Sequence, residues 1–377
     1  MRLEIPRMAI LAVLVFLFFI SFSLSKFLEM QQTSVMQGIP HPEHVRDLET
    51  ATQPCIPQNS VYFLKIPKCA STTSLHIFVA YGVKHGLTFA LPPWIGEIPI
   101  SPKILSPDYH GSPDGRYNMV VSHTQFNKEG AEQVMKESAK YVASVREPAS
   151  RFESNWYFGD FEKKLNVTLT DFIENSNHTK QQKNVMNKIA SYFGIKDPSD
   201  RTTEKEMLVK AKWLNEIFDL VMIAERYDES LVLLKHLMCW DTEDIAYVKV
   251  NIRTPESRPE VSEAQKDKLR QLNRQDVFLY KFFREIFEKK VEAFGREKMQ
   301  KEVEELRKAN ARFTEDCGAT LTGSAHNVKT WEVKNTTSIC RMISLNGGKI
   351  QDQLKERQRM WVSSNLTYDL LTWTFKG

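Results

Sequence analysis

The chain has 377 residues, enough for one large domain or two ordinary ones. Its 42% hydrophobic and 26% charged residues are typical of a globular protein and argue against a disordered chain. The net charge of +4 is small for this length, which argues against a nucleic-acid-binding protein, since such proteins concentrate basic residues on one surface.

An apolar segment near the N-terminus predicts a membrane anchor. Residues 8–24 are apolar except for two serines, and this length lies within the range of a membrane-spanning helix. Arg2 and Arg7 precede the segment, so the positive-inside rule keeps the N-terminus in the cytosol. A cleaved signal peptide is the alternative, but the segment lacks a good small-residue cleavage site. We therefore predict a type II membrane protein with a cytoplasmic tail at 1–7, a signal anchor at 8–25 and a lumenal remainder.

The glycosylation motifs and cysteines fit a lumenal location. Four Asn-x-Ser/Thr motifs follow the anchor, at Asn166, Asn177, Asn335 and Asn365. The chain also has five cysteines, Cys55, Cys69, Cys239, Cys317 and Cys340. An oxidising lumen permits disulfides, and we predict the pair Cys317–Cys340 because these residues flank a polar stretch. Cys69 is predicted to be free, and the alternative that all five are small buried side chains stays open.

After the anchor, the composition changes twice. Residues 26–57 are polar, contain four prolines and show little periodicity, which predicts a stem that holds the domain away from the membrane. The folded part is predicted to occupy residues 58–377, as one domain.

Short apolar runs within this domain alternate with helical patterns. Buried strands are predicted at residues 61–64, 117–121, 141–145 and 218–224, and a helix carries Leu75, Phe78, Val79 and Gly82. Such alternation indicates an α/β domain with a central parallel sheet flanked by helices and joined by right-handed crossovers.

The pattern becomes entirely helical from Ser262 to about Phe313. An apolar stripe through Leu279, Phe283 and Phe287 predicts helices packed on the sheet, with a solvated outer face. A coiled-coil homodimer is an alternative, although the heptads are not sustained. The last fifty residues carry little signal beyond an aromatic tail.

A polar loop between the first strand and the first helix predicts an anion-binding site. Residues 65–73 read Lys-Ile-Pro-Lys-Cys-Ala-Ser-Thr-Thr, so the turn places backbone N–H groups, a helix N-terminus, Lys68 and hydroxyl donors together. The loop contains no glycine and does not match the Walker pattern, which argues against a nucleotide hydrolase or a lumenal P-loop kinase. An ordinary helix cap is the alternative.

A second basic position supports the anion-binding interpretation. Arg146 follows the predicted strand at 141–145, and Ser154 lies eight residues later in the next helix. Both can meet at the carboxyl edge of a parallel sheet, where an arginine can clamp a phosphate with two hydrogen bonds. Two separate anion sites indicate a nucleotide that carries phosphate at both ends.

These motifs resemble those of a known family. Pro67-Lys68-x-x-Ser-Thr-Thr and Arg146-x7-Ser154 resemble the 5′-phosphosulfate and 3′-phosphate motifs of PAPS-dependent sulfotransferases, and more narrowly those of the galactose-3-O-sulfotransferase family. Further similar segments are 84–92, 122–127, 146–148, 228–234, 239–240, 243–244 and 250–253. The resemblance covers about residues 60–255 and is weak after residue 315.

The resemblance implies a single P-loop-like sulfotransferase domain, PAPS as the sulfuryl donor and no required metal. Lys68 would contact the phosphosulfate bridge, and Ser71, Thr72 and Thr73 would hold the 5′-phosphate. Lys65, Pro67, Cys69 and Ala70 would complete the donor site. Arg146 and Ser154 would hold the 3′-phosphate. His123 follows a predicted strand and matches a family histidine, so it is the predicted general base, because imidazole titrates near neutral pH. A buried core histidine is the alternative.

The resemblance also implies a Golgi enzyme that sulfates the 3-hydroxyl of galactose on a glycolipid or glycan. His85, Glu225 and Arg253 are weaker candidates for acceptor binding, and structural ion pairs are the alternative for the last two. Two other functions stay open: a glycosaminoglycan 2-O-sulfotransferase, whose polyanionic acceptor favours a long basic groove, and a catalytically inactive Golgi glycan-binding protein.

Overall fold

The computed structural model describes residues 55–91, 112, 115–175, 177–195, 202–250, 252–253, 261–325, 328–364 and 373–376. The predicted tail and anchor, and the stem up to residue 54, lie outside the described residues. Within the described part of the chain, no helix combines the length and the apolar character needed to cross a membrane.

A five-stranded parallel sheet forms the centre of the molecule. Its strands are β1 (Val61–Leu64), β2 (Phe89–Ala90), β3 (Met119–Val120), β4 (Lys140–Val145) and β5 (Leu220–Ile223). They lie in the order β2-β3-β1-β4-β5, and every neighbouring pair is parallel. All residues of β1 and β5 are buried, as expected for strands covered on both faces. The predicted α/β class with a central parallel sheet is therefore confirmed.

Helices surround this sheet. They are α1 (Ser71–Lys84), α2 (Lys128–Val134), α3 (Pro148–Phe158), α4 (Phe161–Leu165), α5 (Leu169–Glu174), α6 (Lys180–Lys183), α7 (Lys188–Tyr192), α8 (Glu204–Ile217), α9 (Tyr227–Met238), α10 (Glu263–Leu272), α11 (Arg274–Phe294), α12 (Arg296–Asp316), α13 (Ser338–Ile343) and α14 (Gly347–Ser363). The predicted strand at 117–121 is shorter than expected, because Tyr117 forms a single bridge to Met135 instead of joining β3.

A second, antiparallel sheet lies in the C-terminal part of the domain, where the sequence carried little signal. It contains β6 (Ile252–Arg253), β7 (Thr320–Ala325) and β8 (Val328–Glu332), in the order β6-β8-β7. A disulfide joins Cys317 to Cys340, the predicted pair, beside this sheet. A second disulfide joins Cys55 to Cys239, and Cys69 is free.

The C-terminal helix α14 completes the edge of the central sheet. The backbone N–H of Phe89 in β2 donates to Oε1 of Gln358 at 2.7 Å, and Nε2 of Gln358 donates to the carbonyl of Phe89 at 3.0 Å. Arg357 donates to the carbonyl of Leu87 at 2.8 Å. The Gln358 side chain therefore takes the place of a neighbouring strand, which keeps the polar groups of this edge satisfied.

A buried ion pair connects α3 to α11. Arg151 and Asp276 are both fully buried, and Nε of Arg151 lies 3.7 Å from Oδ2 of Asp276. The Asp276 carboxylate also accepts the backbone N–H groups of Ile189 and Ala190 at 3.1 and 2.9 Å, at the start of α7. Because α3 also carries Ser154, this pair holds one wall of the site described below.

We expect Asp276→Asn to lower the free energy of unfolding by about 3–5 kcal/mol, because it leaves the Arg151 guanidinium buried without a counter-charge. Urea unfolding followed by circular dichroism measures this loss. Asp267→Asn is the matched control, since that carboxylate is 66% exposed in its contact with Arg270, and its loss is expected to change stability by no more than about 1 kcal/mol. A loss of similar size in both variants would contradict a structural role for the buried pair.

Candidate active site

The polar residues at the carboxyl ends of four parallel strands meet at one cavity of about 1900 Å³. Lys65, Pro67 and Lys68 follow β1, His123 follows β3, Arg146 follows β4 and Glu225 follows β5. Ligands of open α/β sheets bind at this edge. The volume exceeds the roughly 300–1,000 Å³ of a typical small-molecule site, so the cavity has room for a nucleotide and a second ligand together.

The loop between β1 and α1 has the backbone geometry of an anion site. Lys68 and Ala70 have left-handed conformations, with φ of 65° and 58°, which non-glycine residues rarely adopt. Ala70 occupies the N-cap position of α1, and its side chain has no oxygen to accept the first N–H groups of the helix. These N–H groups and the positive end of the helix dipole therefore face the cavity beside Ser71, Thr72 and Thr73.

The loop after β1 and the residue Arg146, which were predicted to bind the two phosphates, are in contact. The guanidinium of Arg146 donates to the carbonyl of Lys68 at 3.2 Å, so the end of β4 supports the loop that follows β1. Ser154 lines the same cavity from α3. The Lys68 ammonium lies 3.6 Å from the ring centroid of Phe158 at the end of α3, a cation–π contact. Lys68, Arg146 and Ser154 therefore all line this one cavity.

Lys65 and His123 form a close pair on the floor of the cavity. Nδ1 of His123 lies 2.6 Å from the carbonyl oxygen of Lys65, and because a carbonyl only accepts, this ring nitrogen carries the proton. The other ring nitrogen, Nε2, therefore accepts from the Lys65 ammonium at 2.7 Å. Both bonds fix the ring, and the Lys65 ammonium covers the nitrogen that a general base would use.

The environment of His123 keeps its imidazole neutral. Burial lowers the pKa of His123 to about 3, with the Lys65 ammonium as the next cause. A neutral imidazole is the form that can accept a proton. Departure of the Lys65 charge would raise this pKa and expose Nε2, so the ability of this imidazole to accept a proton depends on the position of the Lys65 ammonium.

Comparison with known proteins identifies the family of this chain. A family model described as galactose-3-O-sulfotransferase matches residues 3–359, almost the whole chain. This chain belongs to the galactose-3-O-sulfotransferase family. The family resemblance inferred from the motifs is therefore confirmed.

Curated relatives carry names from the same family. The chain is 33% identical to galactosylceramide sulfotransferase of Bos taurus over 280 residues, which are 70% of this chain and 65% of the relative. It is 32% identical to the Homo sapiens protein of that name over 293 residues, 73% of this chain and 68% of the relative. It is 33% identical to galactose-3-O-sulfotransferase 3 of Mus musculus over 271 residues, 68% of this chain and 63% of the relative. The match thus spans just under two thirds of the bovine protein.

Cys69 differs from the prediction that it lines the donor site. Its side chain is fully buried, and Sγ contacts the carbonyl of Pro67 at 3.6 Å instead of facing the cavity. Burial raises the pKa of the Cys69 thiol to about 12, which suppresses the reactive thiolate. Its carbonyl accepts from Ser144 at 2.5 Å, so Cys69 anchors the loop to β4.

The three weaker candidates for acceptor binding lie in different places in the structure. His85 does not line the cavity; it is exposed and packs on the Tyr81 ring, 4.2 Å between centroids. Glu225 does line the cavity, where it accepts from the backbone of Glu147 at 2.9 Å and thereby joins the ends of β4 and β5. Arg253 lies in β6, where its backbone pairs with Val328.

Of the predicted glycosylation positions, Asn166 and Asn177 are exposed and Asn335 is half-buried, while Asn365 lies outside the described residues.

In the part of the chain that the structure describes, no three His, Cys, Asp or Glu side chains are grouped so as to hold a metal ion.

The sequence did not predict the aromatic residues of the cavity. Phe158, Tyr247 and Trp331 all line it, and they come from α3, from the segment before β6 and from β8. Phe158 is 54% exposed, unusually high for such a large apolar side chain. Its position a few residues after the Arg146 motif is the one sequence feature that could have indicated a role in the cavity. Using that feature requires knowing that α3 ends at Phe158.

A second buried histidine lies in α1, below the loop. His76 is 6% exposed, and neither ring nitrogen has a hydrogen-bond partner among the described residues. Burial, followed by the Lys65 charge, lowers the pKa of His76 to about 4. An unfolded chain protonates histidine near pH 6.5. Between about pH 6.5 and 4 the unfolded chain therefore binds more protons, so stability rises with pH across this window.

We expect His76→Phe to remove about 2–3 kcal/mol of the acid destabilisation between pH 7 and 4.5, because the apolar ring has no proton to bind. Urea unfolding at both pH values measures the difference. His178→Phe is the control, since the ring of His178 lies 2.8 Å from the carbonyl of Phe172 and is not isolated. An unchanged pH dependence in His76→Phe would show that His76 is not responsible.

Proposed function

We propose that this chain transfers a sulfuryl group from PAPS to the 3-hydroxyl of galactose on a glycolipid or glycan. The observation that supports this most is the hydrogen bond from the Arg146 guanidinium to the backbone carbonyl of Lys68, which brings two cationic residues together at the loop that precedes the uncapped N-terminus of α1. It provides two anion sites from adjacent strand ends, which suits a nucleotide with a 5′-phosphosulfate and a 3′-phosphate. The cavity volume leaves room for the acceptor sugar.

The proposed reaction is an in-line displacement at sulfur. The galactose hydroxyl oxygen forms a bond to sulfur while the bond from sulfur to the bridging phosphate oxygen breaks. The products are the sulfated sugar, the 3′,5′-bisphosphate PAP and one proton. The Lys68 ammonium would neutralise the charge that develops on the bridging oxygen, and the loop N–H groups would hold the 5′-phosphate.

His123 would accept the proton of the acceptor hydroxyl at Nε2. In the structure this nitrogen accepts from Lys65 at 2.7 Å. The phosphosulfate of PAPS would attract the Lys65 ammonium away from the imidazole, because a dianion competes strongly for the same charge. We infer that binding of the donor thereby uncovers the base, so PAPS would bind before the acceptor.

We also propose that the protein is a single-pass type II protein of the Golgi membrane with a lumenal catalytic domain. The disulfides Cys55–Cys239 and Cys317–Cys340 support an oxidising compartment. The apolar segment at 8–24 and the glycosylation motifs also support a membrane anchor and a lumenal domain. In intact microsomes, the domain should resist added protease and carry endoglycosidase-sensitive glycans; cleavage of an unglycosylated domain would contradict the lumenal location.

The experiment that tests the activity is transfer of labelled sulfate from PAPS by the full-length chain. The acceptors are galactosylceramide, a β-galactosyl disaccharide, and desulfated heparan and chondroitin. Label on a galactosyl acceptor, with the linkage mapped to the 3-hydroxyl, is the expected result. Label on a glycosaminoglycan alone would contradict the acceptor, and binding of PAP without transfer to any acceptor would contradict the enzyme activity.

A further inference from the structure

More cationic side chains line the cavity than the proposed donor site uses. Nine Lys and Arg side chains but four Asp and Glu side chains line it. Three of the carboxylates pair with lining cations, as Asp160–Lys163, Asp228–Arg307 and Glu229–Arg226. Of the six remaining cations, Lys65, Lys68 and Arg146 surround the loop after β1, where PAPS is proposed to bind. The other three lie on other elements and are not accounted for by the donor.

Two of these extra cations belong to the C-terminal wall of the cavity. Lys249 precedes β6 and Lys329 lies in β8, and both are exposed. Among the described residues, no carboxylate lies within ion-pair distance of either ammonium, whereas the third, Arg296, pairs with Glu292 at 2.9 Å. Lys249 and Lys329 can therefore bind an anionic group of a ligand at small cost in existing contacts.

Trp331 provides an aromatic surface on the same wall. Its indole N–H donates to the carbonyl of Lys249 at 2.8 Å, which orients the ring. Trp331 packs against the apolar cluster that contains Cys317 and Cys340, while the residue remains partly exposed and lines the cavity. Since Lys329 and Trp331 are two residues apart on β8, their side chains lie on one face of the strand.

We propose that Trp331, Lys249 and Lys329 form the acceptor subsite, and that the preferred acceptor is a galactoside that carries an anionic group. The C–H face of the galactose ring would pack on the indole, which offers a large, rigid apolar surface. A carboxylate or sulfate elsewhere on the same acceptor would bind the two lysines. This inference rests on the proposed sulfuryl transfer and names the class of its acceptor.

The test compares three acceptors with the full-length chain: a neutral β-galactosyl disaccharide, and the same disaccharide with a sulfate or a carboxylate on the second sugar. We expect the acceptor KM of the wild-type chain to be about tenfold lower for one or both anionic forms than for the neutral form. The arm with the lower KM identifies which anion the lysines select. Equal KM values for all three acceptors would overturn the proposal.

Variants separate the two parts of the subsite. Trp331→Ala should raise the acceptor KM about tenfold or more for every acceptor and leave the KM for PAPS unchanged. Lys249→Gln with Lys329→Gln should remove only the preference for the anionic forms. Trp213→Ala and Lys205→Gln, on the exposed face of α8, are the matched controls. A Trp331→Ala variant that changes the PAPS KM but not the acceptor KM would overturn the assignment.

Direct binding distinguishes this proposal from the proposed activity. Calorimetry of the sulfated disaccharide is done in the presence of PAP, with Trp331→Phe included as a variant that keeps an aromatic ring. Binding that is lost in Trp331→Ala and kept in Trp331→Phe supports the subsite even if the wild-type chain transfers no sulfate. Transfer without any effect of Trp331 or the lysines supports the activity and overturns the subsite. Absence of acceptor binding in the wild-type chain also overturns it.

Discussion

Replacing Lys68 with alanine is expected to lower kcat for sulfuryl transfer by about 10²–10³-fold, because the loop then lacks the charge that would stabilise the leaving phosphate oxygen. Lys68 is positioned for this by its left-handed backbone and by the Phe158 ring under its ammonium. Single-turnover transfer from labelled PAPS measures the loss. Affinity for PAP should fall much less, since the loop N–H groups remain.

Arg146→Ala should affect donor binding more than turnover, the opposite of Lys68→Ala. It removes a proposed ligand of the 3′-phosphate, so it should weaken PAP binding by about 1.5–3 kcal/mol and affect kcat less once the donor is saturating. Lys205→Ala, exposed on α8, controls for the loss of a lysine elsewhere. If Lys68→Ala retained normal turnover, the proposed stabilisation of the leaving group by this residue would be wrong.

His123→Ala is expected to lower kcat by about 10²–10⁴-fold while PAP binds with near-normal affinity, because the proposed base is lost and the proposed donor contacts remain. His85→Ala is the matched control, since His85 is exposed and does not line the cavity. Calorimetry with PAP and the transfer assay together separate binding from chemistry. Near-normal turnover of His123→Ala would show that another group accepts the proton.

The Lys65–His123 contact adds a pH-dependent readout to this prediction. The acid limb of kcat/KM follows the pKa of the base in the free enzyme. Burial and the Lys65 ammonium lower the pKa of His123 to about 3, so this limb should lie well below pH 6.5. Lys65→Met removes the charge and should shift the limb to higher pH. An acid limb that stays in place would contradict the coupling of the two residues.

The parts of the fold that could be predicted are those specified by neighbouring residues. β1 was predicted at its observed bounds, because Val61–Leu64 are four buried apolar residues followed at once by a polar turn. The position of the proposed donor-binding motifs follows from the same logic, since residues just after a parallel strand must lie at the carboxyl edge of the sheet. Lys68 and Arg146 were therefore found together without knowledge of the tertiary structure.

The parts that could not be predicted depend on contacts between distant residues. β7 and β8 are rich in Thr, Ser and Lys and show no clear apolar alternation, so their pairing with β6 is set by tertiary packing. The bond between Lys65 and His123 joins residues 58 positions apart, and sequence motifs carry no information on its distance. The burial of Cys69, between two loop residues that face the cavity, likewise depends on the left-handed backbone on either side of it.

The bond between Phe89 and Gln358 has a consequence for how the protein is made. These residues are 269 positions apart, so the edge of the central sheet stays open until almost the whole chain has left the ribosome. An open strand edge is a template for pairing with other chains. We therefore expect a premature stop codon before residue 347 to produce an aggregating, chaperone-retained chain rather than a smaller enzyme, even though every proposed donor contact lies upstream of it.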